Sequence, residues 1–133
     1  MALIDSSIII AAERGRLDLE AQLGARLGEW LGVAAVTVSE LYAGVLAPGR
    51  PELKRRASEA VIDKILASME IVPFDAAIAR IHAGLYAELR AKGATVGLHD
   101  LQIAATAIAR GQLVATRDLR SFPRIPGLKY EEW

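Results

Sequence analysis

The chain has no cysteine among its 133 residues and only two histidines. The absence of cysteine excludes disulfide bonds, thiolate zinc sites and a cysteine nucleophile. It also fits a reducing compartment. The ligands of any metal ion must therefore be oxygen atoms or histidine.

Aromatic residues and long apolar runs are also scarce. Aromatic residues make up 5% of a chain that is 53% hydrophobic, so the core must consist mainly of Ala, Leu, Ile and Val. No apolar run approaches the roughly 20 residues that cross a bilayer. Residues 1–5 lack the basic segment of a secretory signal. We therefore expect a soluble, cytoplasmic protein with no membrane association.

The net charge gives no support for a nucleic-acid partner, because basic and acidic residues both total 16. A basic cluster is nevertheless present, and it comprises Arg50, Lys54, Arg55 and Arg56. Runs of this kind more often form a solvated helix face than a binding surface. An acidic site elsewhere would also conceal a locally basic rim in a whole-chain count.

Four short apolar runs are typical of buried strands, at residues 2–4, 33–36, 70–74 and 113–116. The segments between them predict helices over residues 8–12, 17–30, 51–68, 75–92 and 101–110, and a further helix running through Leu41 and Tyr42. Alternating strands and helices require a parallel sheet covered on both faces. The predicted fold is a three-layer α/β/α sandwich with a short central parallel sheet, in a single domain spanning residues 1–133.

Acidic residues follow the predicted strands. Asp5 comes directly after the first strand and Asp118 shortly after the last, Glu40 lies in the first turn after the second, and Asp100 begins a late helix. Ligands of open parallel sheets bind outside the carboxyl ends of the strands. Strand ends and helix starts face the same side of such a sheet. We therefore expect these four carboxylates to converge.

Each acid also has a structural explanation when it is taken alone. Asp100 fits a helix N-cap, and Asp118 fits a turn. Glu40 completes the capping-box pattern that Thr37 begins, in which both side chains bind free amides of the first turn. Asp5 is harder to explain, because burying a carboxylate after a short strand is costly without a cation or donors.

Taken together, the four acids predict a metal site. Several carboxylates within a few ångströms repel one another unless a cation neutralises them. Oxygen ligands without cysteine favour Mg²⁺ or Mn²⁺ over zinc. Such an ion leaves positions open for water and phosphate oxygens, so the chemistry that fits is in-line hydrolysis of a phosphodiester.

The sequence resembles the PIN-domain ribonucleases, and within them the VapC-type toxins of toxin-antitoxin pairs. The resemblance covers nearly the whole chain. It is carried, in order, by Leu3-Ile4-Asp5-Ser6-Ser7, by the segment from Thr37 to Gly44, by the segment from His99 to Ala107, and by the segment from Thr116 to Phe122. The closing Ile125-Pro126-Gly127-Leu128, with Trp133, is also similar to the end of the family's chains.

The resemblance implies roles for individual residues. Three acids would bind the metal directly or through water: Asp5, Asp100 and Asp118. Glu40 would hold a metal-bound water or help to orient the nucleophile. Ser6 and Thr116 would be hydroxyls that fix a carboxylate or touch phosphate. The resemblance also implies an RNA substrate, a small cognate antitoxin that blocks the site, and assembly into toxin homodimers and toxin-antitoxin hetero-oligomers.

Three positions depart from the family's pattern or leave a choice. Many relatives carry Asn where Arg117 stands and often an acid where Ser121 stands, so Arg117 either pairs with Asp118 or binds substrate phosphate. His99 invites a metal-ligand interpretation, although a histidine beside a carboxylate more often points away or bonds locally.

Two other functions remain open. A phosphoryl-transfer or phosphatase-like protein of doubly wound fold also places an aspartate after the first strand. Such proteins require a further acid near that aspartate or a lysine after the last strand. This chain has Ser7 at the first of these places and Arg117 at the second. An inactive PIN-like domain acting in protein association is the non-enzymatic alternative, although all four acids are present.

Overall fold

The computed structural model describes every residue from Met1 to Trp133. Its strands are β1 (Ala2–Ile4), β2 (Leu31–Ala34), β3 (Glu70–Val72), β4 (Leu113–Thr116) and β5 (Tyr130–Glu132). Its helices are α1 (Ser6–Glu13), α2 (Leu19–Gly24), α3 (Ala35–Val45), α4 (Glu52–Leu66), α5 (Ala76–Ala91) and α6 (Leu98–Ala109), with a short 3₁₀ helix at Phe122–Arg124. None of the helices combines the length and apolar character that a membrane span requires.

The five strands form one parallel sheet in the order β3-β2-β1-β4-β5. The central strand is β1, in which Leu3 pairs with Gly32 of β2 on one side and with Val114 of β4 on the other. Because every strand runs in the same direction, all their carboxyl ends meet at one edge of the sheet. The α/β sandwich predicted from the sequence is confirmed.

Side chains of β1 alternate between two cores. Leu3 packs with α5 and α6 on one face, whereas Ala2 and Ile4 pack with α1, α3 and α4 on the other. All three residues are buried, as expected for a strand covered on both faces. The loop that follows β1 is therefore anchored from both sides, which gives Asp5 a rigid base.

Several predicted boundaries were wrong. The second strand ends at Ala34 rather than at residue 36, because α3 begins at once with Ala35. The helix predicted over residues 17–30 is only Leu19–Gly24, and Gly28 has a positive φ of 85° that ends any helical continuation. The edge strand β5 was missed, because its three residues have no apolar alternation.

The capping box predicted for Thr37 and Glu40 is also wrong. The N-cap of α3 is Ala34, which makes no side-chain cap hydrogen bond. Thr37 thus lies inside the first turn with a fully buried hydroxyl that has no hydrogen-bond partner. Asp100 is likewise not an N-cap, since Gly97 occupies that position in α6. Both Glu40 and Asp100 are therefore free of the capping roles considered from the sequence.

The basic cluster is largely paired within the chain. Arg50 bonds to Glu13 and Ser58, which ties the loop before α4 to α1. Arg55 and Arg56 both pair with Glu52 one turn earlier in α4. These pairs favour the structural interpretation of the cluster over a nucleic-acid surface.

Candidate active site

All four acids lie towards the edge of the sheet where the strands end. Asp5 follows the central strand β1 and is the N-cap of α1. Asp118 lies two residues beyond β4, the neighbour of β1. Glu40 is carried by α3, directly after β2, and Asp100 is the third residue of α6. The fold thus gathers acids that are separated by up to 113 positions.

Asp5 is the most buried of the four, with 3% of its surface exposed. Its Oδ2 accepts hydrogen bonds from Thr116 Oγ1 at 2.9 Å and from Ser7 Oγ at 2.6 Å. Ser6 Oγ lies farther away, 3.5 Å from Oδ1. These donors lock the rotamer of Asp5 and reduce the cost of burying its carboxylate.

The same two hydroxyls join the α1 side of the site to the loop after β4. Thr116 Oγ1 accepts the backbone N–H of Asp118 at 2.9 Å, and Ser7 Oγ accepts the N–H of Arg117 at 2.9 Å. Asp5 and Asp118 are therefore held in a fixed relation through Thr116. Ser7 was not among the site residues predicted from the sequence. Its position two residues after Asp5, in the first helical turn, was a signal that could have identified it.

Asp118 pairs with Arg120 and not with Arg117. Its Oδ1 accepts the backbone N–H of Arg120 at 2.9 Å and lies 3.5 Å from Arg120 Nε. Ser121 Oγ is 3.5 Å from its Oδ2. Arg117 is exposed and forms no ion pair. Of the two roles left open for Arg117, the pair with Asp118 is absent from the structure.

Glu40 and His99 form a side-chain contact between α3 and α6. His99 Nδ1 lies 3.0 Å from Glu40 Oε1, so His99 bonds to a carboxylate 59 positions away in the sequence and not to its neighbour Asp100. The other oxygen, Oε2, is buried and has no hydrogen-bond partner. A buried carboxylate oxygen without a partner is costly, and this cost is relieved when a cation binds the oxygen or a water donates a hydrogen bond to it.

The electrostatics of Asp100 show that the four acids share one environment. Burial raises the pKa of the half-buried Asp100 carboxyl above its usual range, and the nearby Ser121 hydroxyl partly offsets this rise. Repulsion from Asp5, Asp118 and Glu40 raises the pKa further. The structure thus brings together the four carboxylates that were expected to converge.

The donor set fits a hydrated Mg²⁺ or Mn²⁺ ion. No three of the acids are close enough to enclose an ion as a preformed cage. Mg²⁺, however, keeps several of its waters and is usually held by one or two carboxylates together with substrate phosphate. Glu40 Oε2 has no hydrogen-bond partner, and the pKa of Asp100 is raised. A cation bound among these acids would relieve both effects, because it attracts the carboxylates and offsets their mutual repulsion.

Comparison with known proteins identifies the family. The family model of the PIN domain matches residues 2–128. The chain belongs to the PIN-domain family. This PIN domain is 38% identical over 105 residues to the tRNA(fMet)-specific endonuclease VapC of Salmonella typhimurium, covering 76% of this chain and 74% of the relative. It is 30% identical over 132 residues to Ribonuclease VapC2 of Haemophilus influenzae, covering 98% and 96%.

A solved structure extends the similarity. The PIN domain matches a chain of VapBC-5 from Mycobacterium tuberculosis, described as a member of the VapBC family of toxin-antitoxin systems. The TM-score is 0.76 and the identity 32%, covering 98% of this chain and 95% of that chain. Together with the VapC relatives, this match confirms the resemblance drawn from the motifs. It also excludes the phosphoryl-transfer alternative, because that function required membership of a different family.

Beside Asp118, the PIN domain has an open groove of about 450 Å³. Its walls are formed by Ser7, Arg117, Asp118, Leu119 and Arg120. Two arginines therefore lie next to the Asp118 carboxylate although the net charge of the chain is zero. This local basic rim is the feature that a whole-chain charge count conceals.

Removing the Thr116 hydroxyl tests whether it positions the acids. We expect Thr116→Val to lower nuclease activity about 10- to 100-fold, as loss of a group that orients a metal ligand typically does. It should also destabilise the fold by about 1–3 kcal/mol, because the backbone N–H of Asp118 loses its acceptor and Asp5 Oδ2 loses one of its donors.

Thr106→Val is the matched control for this experiment. Thr106 is also buried, but its hydroxyl donates to the carbonyl of Gln102 within α6. Activity per folded molecule and thermal unfolding would be measured for both variants. An equal loss of activity per folded molecule in Thr106→Val would show that the loss does not depend on the contacts of Thr116 with Asp5 and Asp118.

Proposed function

We propose that this PIN domain is a metal-dependent endoribonuclease and the toxin of a type II toxin-antitoxin pair. The observation that carries the proposal is the convergence of Asp5, Glu40, Asp100 and Asp118 at the carboxyl edge of the sheet, close enough for three of them to raise the pKa of the fourth. The names of the VapC relatives, an endonuclease and a ribonuclease, support RNA as the substrate.

The proposed metal ligands are Asp5, Asp100 and Asp118, acting directly or through water. All three offer hard oxygen donors, which suit Mg²⁺ or Mn²⁺. When bound, the ion supplies Lewis-acid chemistry, because it offsets the charge that develops on the phosphate and the leaving oxygen.

The remaining residues orient and bind. Thr116 and Ser7 fix the Asp5 carboxylate through Oδ2, and Ser6 is within reach of Oδ1. Oε2 of Glu40 has no hydrogen-bond partner, so it can accept a proton from an attacking water. Arg120 holds Asp118 through its backbone N–H.

Arg117 is proposed to bind a phosphate of the RNA backbone. Its side chain forms no ion pair, and it lines the groove beside Asp118. An arginine presents a fork of donors that matches phosphate geometry. Backbone contacts of this type position RNA without reading its sequence, so the identity of the RNA is set elsewhere along the groove.

A small antitoxin protein is the proposed partner, on the basis of the toxin-antitoxin description of the VapBC-5 structure. Toxin homodimers and toxin-antitoxin hetero-oligomers are proposed with it. The absence of cysteine is consistent with the proposed cytoplasmic location, where RNA is the available substrate.

The decisive experiment is RNA cleavage by the purified chain with Mg²⁺ or Mn²⁺, with and without a chelator. We expect cleavage within the strand that requires the ion and is lost in chelator. Asp5→Asn, prepared in the same way, reports any contaminating nuclease. Cleavage that persists in chelator, or that Asp5→Asn retains, contradicts the proposal, and a chain inert with every ion would favour a role in protein association alone.

The toxin role is tested separately in cells. Expression of the chain should arrest growth, and co-expression of the small protein encoded beside it should restore growth. Arrest that survives Asp100→Asn would show that cleavage is not its cause.

A further inference from the structure

We propose that His99 is a positioning residue that holds the Glu40 carboxylate towards the other acids, an inference that rests on the proposed ribonuclease function. Its basis is the 3.0 Å contact between His99 Nδ1 and Glu40 Oε1, which leaves Oε2 buried and unpartnered. The contact joins residues 59 positions apart. No other hydrogen bond or ion pair is made by the Glu40 side chain.

Glu40 needs such a partner for two reasons. Its side chain has three rotatable bonds, so holding one rotamer costs conformational entropy. It is also repelled by the neighbouring acids, since its charge contributes to the raised pKa of Asp100. Without a donor on Oε1, both effects would favour a rotamer that turns the carboxylate out to solvent.

His99 is well placed to supply that donor. It precedes Asp100 in the first turn of α6, so its position is fixed by the same helix that carries Asp100. A carboxylate oxygen can only accept, so the N–H of Nδ1 donates to Glu40. The ring is 56% exposed while Glu40 is 23% exposed, which places His99 on the outer side of the carboxylate. Oε2 is thereby left for the interior of the site.

The same geometry argues against two other roles. A metal-ligand role for Nδ1 conflicts with its contact to Glu40. A direct contact between the exposed ring and RNA would affect substrate affinity and would not depend on Glu40. These roles predict different results when His99 and Glu40 are changed together.

The test compares His99→Ala with His99→Asn, alone and combined with Glu40→Gln. The side-chain amide of Asn places a donor as many bonds from the backbone as Nδ1 does. We expect His99→Ala to lower kcat about 10- to 100-fold with little change in KM, as for other groups that orient a site residue. His99→Asn should recover most of the loss. In the Glu40→Gln background, His99→Ala should cause no further loss.

Titration of Mn²⁺, followed by electron paramagnetic resonance, gives a second readout that does not need cleavage. His99→Ala should weaken Mn²⁺ binding about 10-fold, and His99→Asn should restore it. His82→Asn is the control, because His82, on α5, packs against Phe74, and this change should leave the affinity unchanged.

Three results would overturn the inference. They are a rise in KM with unchanged kcat, an equal loss on changing His99 in the Glu40→Gln background, and Mn²⁺ binding that is indifferent to His99. If the wild type binds Mn²⁺ but cleaves no RNA, the ribonuclease proposal fails while the Mn²⁺ titrations still decide the role of His99.

Discussion

Asp100→Asn is expected to reduce RNA cleavage by about 100- to 1000-fold and to leave the metal-free protein at least as stable as the wild type. The loss corresponds to several kcal/mol of electrostatic stabilisation of the transition state, at about 1.4 kcal/mol per factor of ten. Asparagine keeps the shape of the side chain and removes the charge, so the two effects are separated in one variant.

The expected stability follows from the sign of the pKa shift. Burial, together with repulsion from Asp5, Asp118 and Glu40, raises the pKa of Asp100 in the folded chain, so its ionised form is disfavoured there. In chelator, this residue therefore makes the wild type lose stability as the pH rises from about 3.9, the usual aspartate value, through the raised pKa. Below that window the penalty is absent. Asp100→Asn removes this part of the pH dependence.

Thermal unfolding in chelator across this pH range checks the expected stability of Asp100→Asn. Cleavage rates in Mg²⁺ check its expected loss of activity. Asp18→Asn is the matched control, since Asp18 is the exposed N-cap of α2 and asparagine also caps well. It should alter neither rate nor unfolding. A clear drop in the unfolding temperature of metal-free Asp100→Asn would mean that the carboxylate stabilises the fold, and that its contact with Ser121 outweighs burial and repulsion.

Gly32→Ala should lower the free energy of unfolding by about 1–3 kcal/mol, or the melting temperature by roughly 5–15 °C. A Cβ at this position would lie 2.5 Å from Trp30 Cη2 and 2.9 Å from the backbone oxygen of Glu70. The indole is held by a 2.6 Å hydrogen bond from Nε1 to Glu70 Oε2, and Arg110 pairs with the same carboxylate at 2.7 Å. Neither neighbour can withdraw without breaking a bond or the β2–β3 pairing of Gly32 with Glu70.

Gly24→Ala provides the control for the same chemical change. A Cβ added to Gly24, the last residue of α2, meets no atom within 4 Å. Its stability should be unchanged or slightly higher, because alanine restricts the unfolded chain more than glycine does. Cleavage per folded molecule should be normal in both variants, since the strain lies at the amino ends of the strands. Wild-type stability in Gly32→Ala would show that Trp30 is not fixed where it lies.

The sequence by itself determined the layered parallel fold and the positions of Asp5 and Asp118 just beyond the first and the last predicted strands. Both follow from local information: short apolar runs form strands, intervening amphipathic segments form helices, and parallel strands end at one edge. The motif order was also sufficient to indicate the family. Local patterns were weaker where apolar residues suit either element, which is why β2 and the start of α3 were misplaced.

Only the tertiary structure decided how the acids are held. The bond from Thr116 to Asp5 spans 111 positions, and the bond between His99 and Glu40 spans 59. Arg120 pairs with Asp118 while its neighbour Arg117 faces the groove, although both lie within two residues of that aspartate. Side-chain hydrogen bonds depend on distances and angles of a few tenths of an ångström, which are set by how whole helices pack on the sheet. Residue spacing along the chain carries no such information.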